Sequence, residues 1–332
     1  MKDNLGEWQL FPHFVWAPRW SFFSFLTLLT IGVLIRLNPP FLVNPWLLVR
    51  PNPLKKPYKE NYRFSFTSSP AMNSKQKESA ATTHLSTSYY TQAYSLQGLR
   101  PYQEDSYLIK AQQDSCLVLV ADGLGGHSHG DYASNLCTQV FQGRYEHLGT
   151  IADPVSFLQG TAEVVNEIIL RKGEEDPDYK YCGTTITGFF VKEGQYFLIN
   201  AGDSRLYGYD GQQTLTRLTK DHSFVQELLD LGQITEEEAF DHPRRNMVTA
   251  SLGIPKEYFK VEVSGPHPLA PDTVLLAFSD GVHDALTDGD LLAVLQEQTS
   301  GLAQAIAEAA LDAGGTDNIT ACLLTLDSRY AT

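Results

Sequence analysis

"VADGLGGHSHGDYAS", residues 120–134, continues the apolar run "SCLVL" of residues 115–119 and then changes character at Asp122. An unbroken aliphatic and β-branched run reads as a buried strand. It delivers a carboxylate at its mouth, ahead of a glycine-rich bend that holds His127 and His129. The same junction recurs along the chain. Asp203 sits between "QYFLINA" and "SRLYGY", Asp280 follows "DTVLLAFS", and Asp317 stands just ahead of "ITACLLTL". If these strands lie side by side, their ends gather four acids at one edge of the core. Like charges in a low dielectric repel strongly unless a cation holds them. A bound metal is the expected cation.

The donors select the metal. Carboxylates, carbonyls and water suit Mg or Mn, whereas paired His and Cys ligands for zinc or iron-sulfur chemistry are absent. Several carboxylates around shared waters suit a two-metal hydrolytic centre, and phosphoester hydrolysis is its natural reaction. Such a centre calls for an arginine that clamps phosphate bidentately. "LRPYQEDSY", residues 99–107, supplies Arg100 ahead of Glu104 and Asp105.

Composition bounds the rest. The chain has 332 residues, 42% of them hydrophobic, and a net charge of -14. That balance excludes nucleic acid as the main partner, because phosphate backbones are met by basic stripes. The charge is uneven: residues 1–70 hold eight Lys and Arg against three Asp and Glu, or +5, so the remainder carries -19. The cysteines, Cys116, Cys137, Cys182 and Cys322, are spread too widely for a zinc motif and read as reduced thiols in a cytoplasmic body.

Three regions follow. Residues 1–50 form an apolar N-terminal segment, 51–89 a polar linker, and 90–328 a globular catalytic domain. The uncharged stretch 21–35 is shorter than the roughly 20 residues of a usual span, yet Trp16, Trp20 and Trp46 flank it as interfacial anchors. It reads either as a membrane anchor or, with a start at Met72, as a segment preceding the protein. Arg36, Arg50, Lys55, Lys56, Lys59 and Arg63 follow it while Lys2 and Arg19 precede it, so the C-terminal side stays cytoplasmic.

Beyond residue 90 the five apolar runs above and "TTITGFFV" read as strands. Helices are predicted over 132–145, 154–171, 224–231, 288–298 and 302–313, with Thr287 as an N-cap and Gly314 as a stop. Strands and helices each come in neighbouring pairs. That favours an α+β fold with antiparallel sheets covered by helices over a β-α-β alternation.

"LRPYQEDSY", "ADGLGGH", "CGTTITG", "NAGDSR", "LTKDHS", "FSDGVHDAL" and "GGTDNIT" occur in the order seen in the metal-dependent protein phosphatases of type 2C, and the chain most resembles the bacterial branch. The resemblance covers about residues 90–328. It implies two packed antiparallel sheets flanked by helices, and hydrolysis of phosphoserine and phosphothreonine in proteins by a two-metal-activated water. Asp122 would bridge two Mg or Mn ions, with the Gly123 carbonyl assisting. Asp280 and Asp317 would complete one shell, Glu104 and Asp105 the other. Asp203 and Asp284, with Asp280, match a third, weaker metal site. Arg100 would hold the phosphate. His127 matches the bacterial D-G-M-G-G-H histidine, with Leu124 in place of the methionine, and reads either as a general acid or as a hydrogen-bonding partner of the next helix. Asp203 also suits plain turn chemistry, Arg205 reads as an ion-pair partner, and His222 as a feature of a helix N-terminus. Expected partners are phosphorylated substrates of a serine/threonine kinase, met by a monomer. Two alternatives stay open: a phosphatase of a small metabolite, and a non-catalytic module of the same fold.

Overall fold

The computed structural model describes residues 79–84, 89–112, 115–125, 129–298 and 300–326. Its centre is the apolar run that carries Asp122, strand β4 (Ser115–Leu124). Alternate residues of β4 enter different cores. Leu117, Leu119 and Ala121 pack under helices, whereas Cys116, Val118 and Val120 pack between two sheets. A strand covered on both faces shows no polar alternation, which is why this segment is uniformly apolar.

The first sheet runs β1 (Ser79–His84), β2 (Tyr90–Leu96), β12 (Ile319–Thr325), β11 (Val274–Phe278), β8 (Arg205–Tyr209), β9 (Leu215–Arg217). The second runs β10 (Glu262–Pro268), β7 (Gln195–Ala201), β6 (Ile186–Lys192), β4, β3 (Asp105–Gln112), with the short β5 (Gly183–Thr184) paired to the end of β4. All pairings are antiparallel. Helices α1 (Gly130–Leu148) and α2 (Pro154–Glu175) cover the second sheet. On the first sheet lie α5 (Asp280–His283), α6 (Asp288–Glu297) and α7 (Leu302–Asp312). Between them in the chain, α3 (Phe224–Asp230) and α4 (Glu236–Phe240) belong to the segment joining β9 to β10. The layers are therefore helix, sheet, sheet, helix, as the resemblance implies.

Local signals place the helix ends well. Thr287 caps α6 through a reciprocal capping box with Asp290, and Gly314 follows the end of α7 at φ 96°. Strands β2 and β3 do not stand out in the sequence. In β2 the polar residues Thr91, Gln92 and Ser95 are buried. Gln92 accepts from the Ala303 amide at 3.2 Å, and Ser95 pairs with Thr320 at 2.8 Å, so distant partners satisfy groups that read locally as loop. Strand β1 lies inside the stretch expected to be linker; its Ser, Ala and Thr residues pair through backbone with β2, a bond that needs no apolar pattern.

All four cysteines are free and buried, and burial pushes the Cys116 thiol up to about 12. Among the described residues no helix is long and apolar enough to cross a membrane. Residues 21–35 lie outside them.

Candidate metal centre

One end of the sandwich collects the acids. Strand β3 begins at Asp105, directly opposite Asp122 of β4 in the antiparallel register. Side chains so paired share a face with Cβ atoms roughly 5 Å apart, where two unit charges at an effective dielectric of 20 repel by about 3 kcal/mol. The strand does not end at Asp122, as its sequence suggests, but two residues later. The Asp122 amide donates to Thr185 Oγ1 at 3.0 Å, and its carbonyl accepts from Thr185 N at 2.8 Å and Thr184 Oγ1 at 2.9 Å. This continuation by β5 holds the Asp122 backbone on both sides. The two threonines of "CGTTITG" thus have a positioning role that their β-propensity hid.

Glu104 is held by close backbone packing. A Cβ on Gly123 would meet the Gly130 carbonyl at 2.4 Å and the Glu104 oxygen at 2.7 Å, so only glycine lets β4, α1 and this turn touch. The Gly123 amide donates to the Glu104 carbonyl at 3.2 Å. The Gly130 amide, in the first turn of α1, bonds the Glu104 carboxylate and opposes the upward shift that burial and Asp131 impose on it.

The other sheet contributes Asp280, the first residue of α5, and Asp317, ahead of β12. Ser279 ties the two sheets together: its hydroxyl donates to Asp105 Oδ2 at 2.7 Å and accepts from the Thr320 amide at 3.0 Å. Asn318 performs a second clamp. Its Oδ1 accepts from the Glu104 amide at 2.8 Å, and its Nδ2 donates to the carbonyls of Gln97 at 2.8 Å and Tyr102 at 3.0 Å. The turn that bears Arg100 is thereby locked to the start of β12, and Arg100 Nη2 lies 2.5 Å from Asp317 Oδ2. Neither Ser279 nor Asn318 was singled out by the sequence reading; both neighbour predicted acids, the only local signal they carry.

Asp203 occupies the turn where the chain crosses from β7 of one sheet to β8 of the other. Buried His222 fixes that turn, with Nδ1 accepting from the Gly202 amide at 3.2 Å and its own amide donating to the Gly202 carbonyl at 2.9 Å. It precedes Ser223, the N-cap of α3, so it braces the Asp203 turn rather than capping the helix. Arg205 is an ion-pair partner as expected, its Nη2 2.8 Å from Asp221; Arg217 also pairs with Asp221. Asp284 meets Arg245 at 3.1 Å. His127 lies outside the described residues.

A cavity of about 200 Å³ is lined by Arg100, Glu104, Asp122, Asp203, Asp280 and Asp317, among others. Asp105 is buried behind it and Asp284 lines a neighbouring 330 Å³ cavity. Burial, reinforced by Asp280 and Asp105, lifts Asp122 well above the ordinary carboxylate range. Asp280 is lifted likewise by burial, then by Asp203 and Asp284. Burial pushes Asp105 up to about 6, against the Ser279 bond, and pushes Asp203 up to about 7 with Asp221 adding to it. Asp105 Oδ1 and Asp203 Oδ1 are buried with no hydrogen-bond partner. Orphaned carboxylate oxygens among mutually repelling acids are what a hard divalent ion satisfies, so the residues fit Mg or Mn. Among the described residues no three side chains already form a closed metal cage; within the cluster Asp317 is instead paired with Arg100.

Residues 100–313 match the family model described as protein phosphatase 2C. A serine/threonine phosphatase, stp, of Listeria monocytogenes serotype 4b is 33% identical over 236 residues, covering 69% of this chain and 92% of that protein. Among solved structures, a bacterial serine phosphatase aligns at TM-score 0.65 with 29% identity, over 71% of this chain and 97% of its own. The catalytic domain of the phosphatase PstP, solved in complex with two manganese ions, aligns at TM-score 0.61 with 30% identity, over 71% of this chain and 97% of its own.

Proposed function

The chain belongs to the protein phosphatase 2C family, and on that footing we propose how its acid-lined end serves a metal-dependent protein serine/threonine phosphatase. The observation that carries the reading is the pair Asp105 and Asp122, opposed across β3 and β4 with an orphaned Oδ1. Only a cation resolves that arrangement with both carboxylates ionised. Asp122 would be shared by two Mg or Mn ions, with Asp280 and Asp317 toward one and Glu104, Asp105 and the Gly123 carbonyl toward the other. Asp203 and Asp284, with Asp280, would serve a weaker third ion. When bound, the ions supply Lewis acidity that brings the pKa of a shared water toward neutrality.

The chain's own groups do the rest. Arg100, with its side chain 47% exposed and only Nη2 directed at Asp317, offers further N–H donors to a phosphate dianion. Its fork suits two phosphate oxygens at once. His127 is assigned as the proton donor to the leaving serine or threonine oxygen on its place in "ADGLGGH". Residues 90–328 form the catalytic domain of a monomer acting on the products of a serine/threonine kinase. Residues 1–50 anchor that domain to a membrane through 21–35, with the stretch between 51 and the start of β1 as tether and the domain in the cytoplasm; the basic residues after the apolar stretch support this orientation.

The test is Mn2+-dependent phosphate release from a phosphothreonine peptide, with a sugar phosphate in parallel. Preference for the peptide supports the reading; preference for the sugar phosphate would make the chain a metabolite phosphatase. Arg100→Ala is expected to raise KM at least tenfold, and Arg100→Lys to restore it only in part, because an ammonium lacks the planar fork. Unchanged kinetics in the alanine variant would remove Arg100 from the phosphate site.

A further inference from the structure

Exposed large apolar side chains are scattered over most protein surfaces without consequence. Here eight occur among the described residues, and three of them are close chain neighbours of residues that line one cavity. Leu99 and Tyr102, each 73% exposed, flank Arg100 in the chain. Met247, 49% exposed, lies between Asn246 and Val248. Arg100, Asn246 and Val248 all line the 200 Å³ cavity with Asp122, Asp280 and Asp317.

These side chains stand on clamped backbone. The Leu99 amide donates to the Thr316 carbonyl at 3.2 Å, Gln97 Nε2 donates to the Arg100 carbonyl at 2.8 Å, and Asn318 holds the Tyr102 carbonyl. The Met247 carbonyl accepts from the Phe224 amide at 2.8 Å. Hydrogen-bonded backbone keeps apolar groups in water beside residues that line an acidic cavity, an arrangement that gains free energy only when something covers them. Apart from Arg100, which is placed on the phosphate, the charged residues lining this cavity are all acidic, so charge does not favour acidic residues beside the phosphorylated one.

We infer that Leu99, Tyr102 and Met247 form an apolar rim that reads the residues flanking the phosphorylated one, so that phosphopeptides with bulky apolar neighbours are preferred over those with polar or acidic neighbours. The occupant is the substrate chain because Leu99 and Tyr102 stand on either side of Arg100, where its phosphate is placed, and Met247 stands between two residues that line the same cavity. The inference therefore rests on the phosphatase reading.

The experiment uses the full chain with Mn2+ and three phosphothreonine peptides differing only in flanking Leu, Ser or Glu. p-Nitrophenyl phosphate serves as a substrate too small to reach the rim. The wild type is expected to favour the Leu peptide over the Ser peptide about tenfold in kcat/KM, through KM, the size of effect expected from partial burial of one aliphatic side chain. The triple variant Leu99→Ser, Tyr102→Ser, Met247→Ser should lose that preference while its rate on p-nitrophenyl phosphate stays unchanged. Equal wild-type kcat/KM on the three peptides, or a preference that survives in the variant, overturns the rim. A variant that changes its sedimentation mass but keeps the peptide preference makes these residues a self-association surface and overturns it equally. Loss of Mn2+-dependent hydrolysis on every substrate in the wild type would instead bring down the phosphatase reading, and the rim with it.

Discussion

Asp280 concentrates the conflict that defines this site: it opens a helix, which favours its charge, yet burial, Asp203 and Asp284 all oppose ionisation. Asp280→Asn removes one repelling charge and one ion ligand together. The variant is expected to melt at or above the wild-type temperature in chelator, to lose most of the Mn2+-induced rise in Tm, and to lose phosphatase activity. A normal Mn2+ shift would exclude Asp280 from the metal shell. His283 behaves differently. Its ring is buried, donates from Nε2 to the Asp203 carbonyl at 3.0 Å, and is held neutral, with its pKa lowered to about 3 by burial and by Arg205. The unfolded chain takes up this proton near pH 6.5 while the folded chain does not, so stability associated with this group is complete above pH 6.5 and falls as pH drops toward 3. Relative to His283→Gln, the wild type should lose about 2 to 3 kcal/mol between pH 7.5 and pH 4.5. Parallel denaturation curves for the two proteins across that range would show that His283 takes a proton inside the fold.

At the scale of elements, the site is assembled from chain segments that meet at one end of two sheets, and Asn318 is the joint between them. It is buried and engages the Glu104 amide and two carbonyls of the Arg100 turn. Asn318→Ala leaves those groups to find other partners at about 1 to 3 kcal/mol and frees the turn. The expected result is a lowered Tm together with a raised KM for phosphopeptide, since Arg100 loses its fixed position. A drop in Tm with unchanged KM would mean that the turn holds its shape without the clamp. The strand register acts at this scale too: Asp105 faces Asp122 because β3 and β4 pair through eight successive positions, from Asp105 with Asp122 to Gln112 with Ser115. A slip by one residue would turn Asp105 away from the cavity.

For the whole molecule, the separation of charge is the dominant trait: an acidic body and a basic, apolar head. Expressed from Met1, the chain is expected to sediment with membranes and to resist extraction by high salt, because salt screens a basic surface contact but leaves a buried apolar segment in place. Recovery in the soluble fraction without detergent would exclude the anchor. The catalytic end needs no such attachment for its chemistry, since every acid described lies between Glu104 and Asp317.

Much of the design is local and therefore legible in the sequence. Apolar runs mark β4, β6, β7, β11 and β12, the acids of the site fall at or near the ends of all of these but β6, and Thr287 and Gly314 mark helix ends, because these features depend on residues a few positions apart. The tertiary structure alone decides that Asp105 opposes Asp122, that Thr184 and Thr185 extend β4 past its acid, that His222 braces Asp203, and that Asn318 grips Glu104 from 214 residues away. Strands β2 and β3 were hidden for the same reason. Gln92 and Ser95 of β2 and Asp105 of β3 are buried against Ala303, Thr320 and Ser279, far along the chain, and hydrogen bonds between remote segments leave no period in either strand.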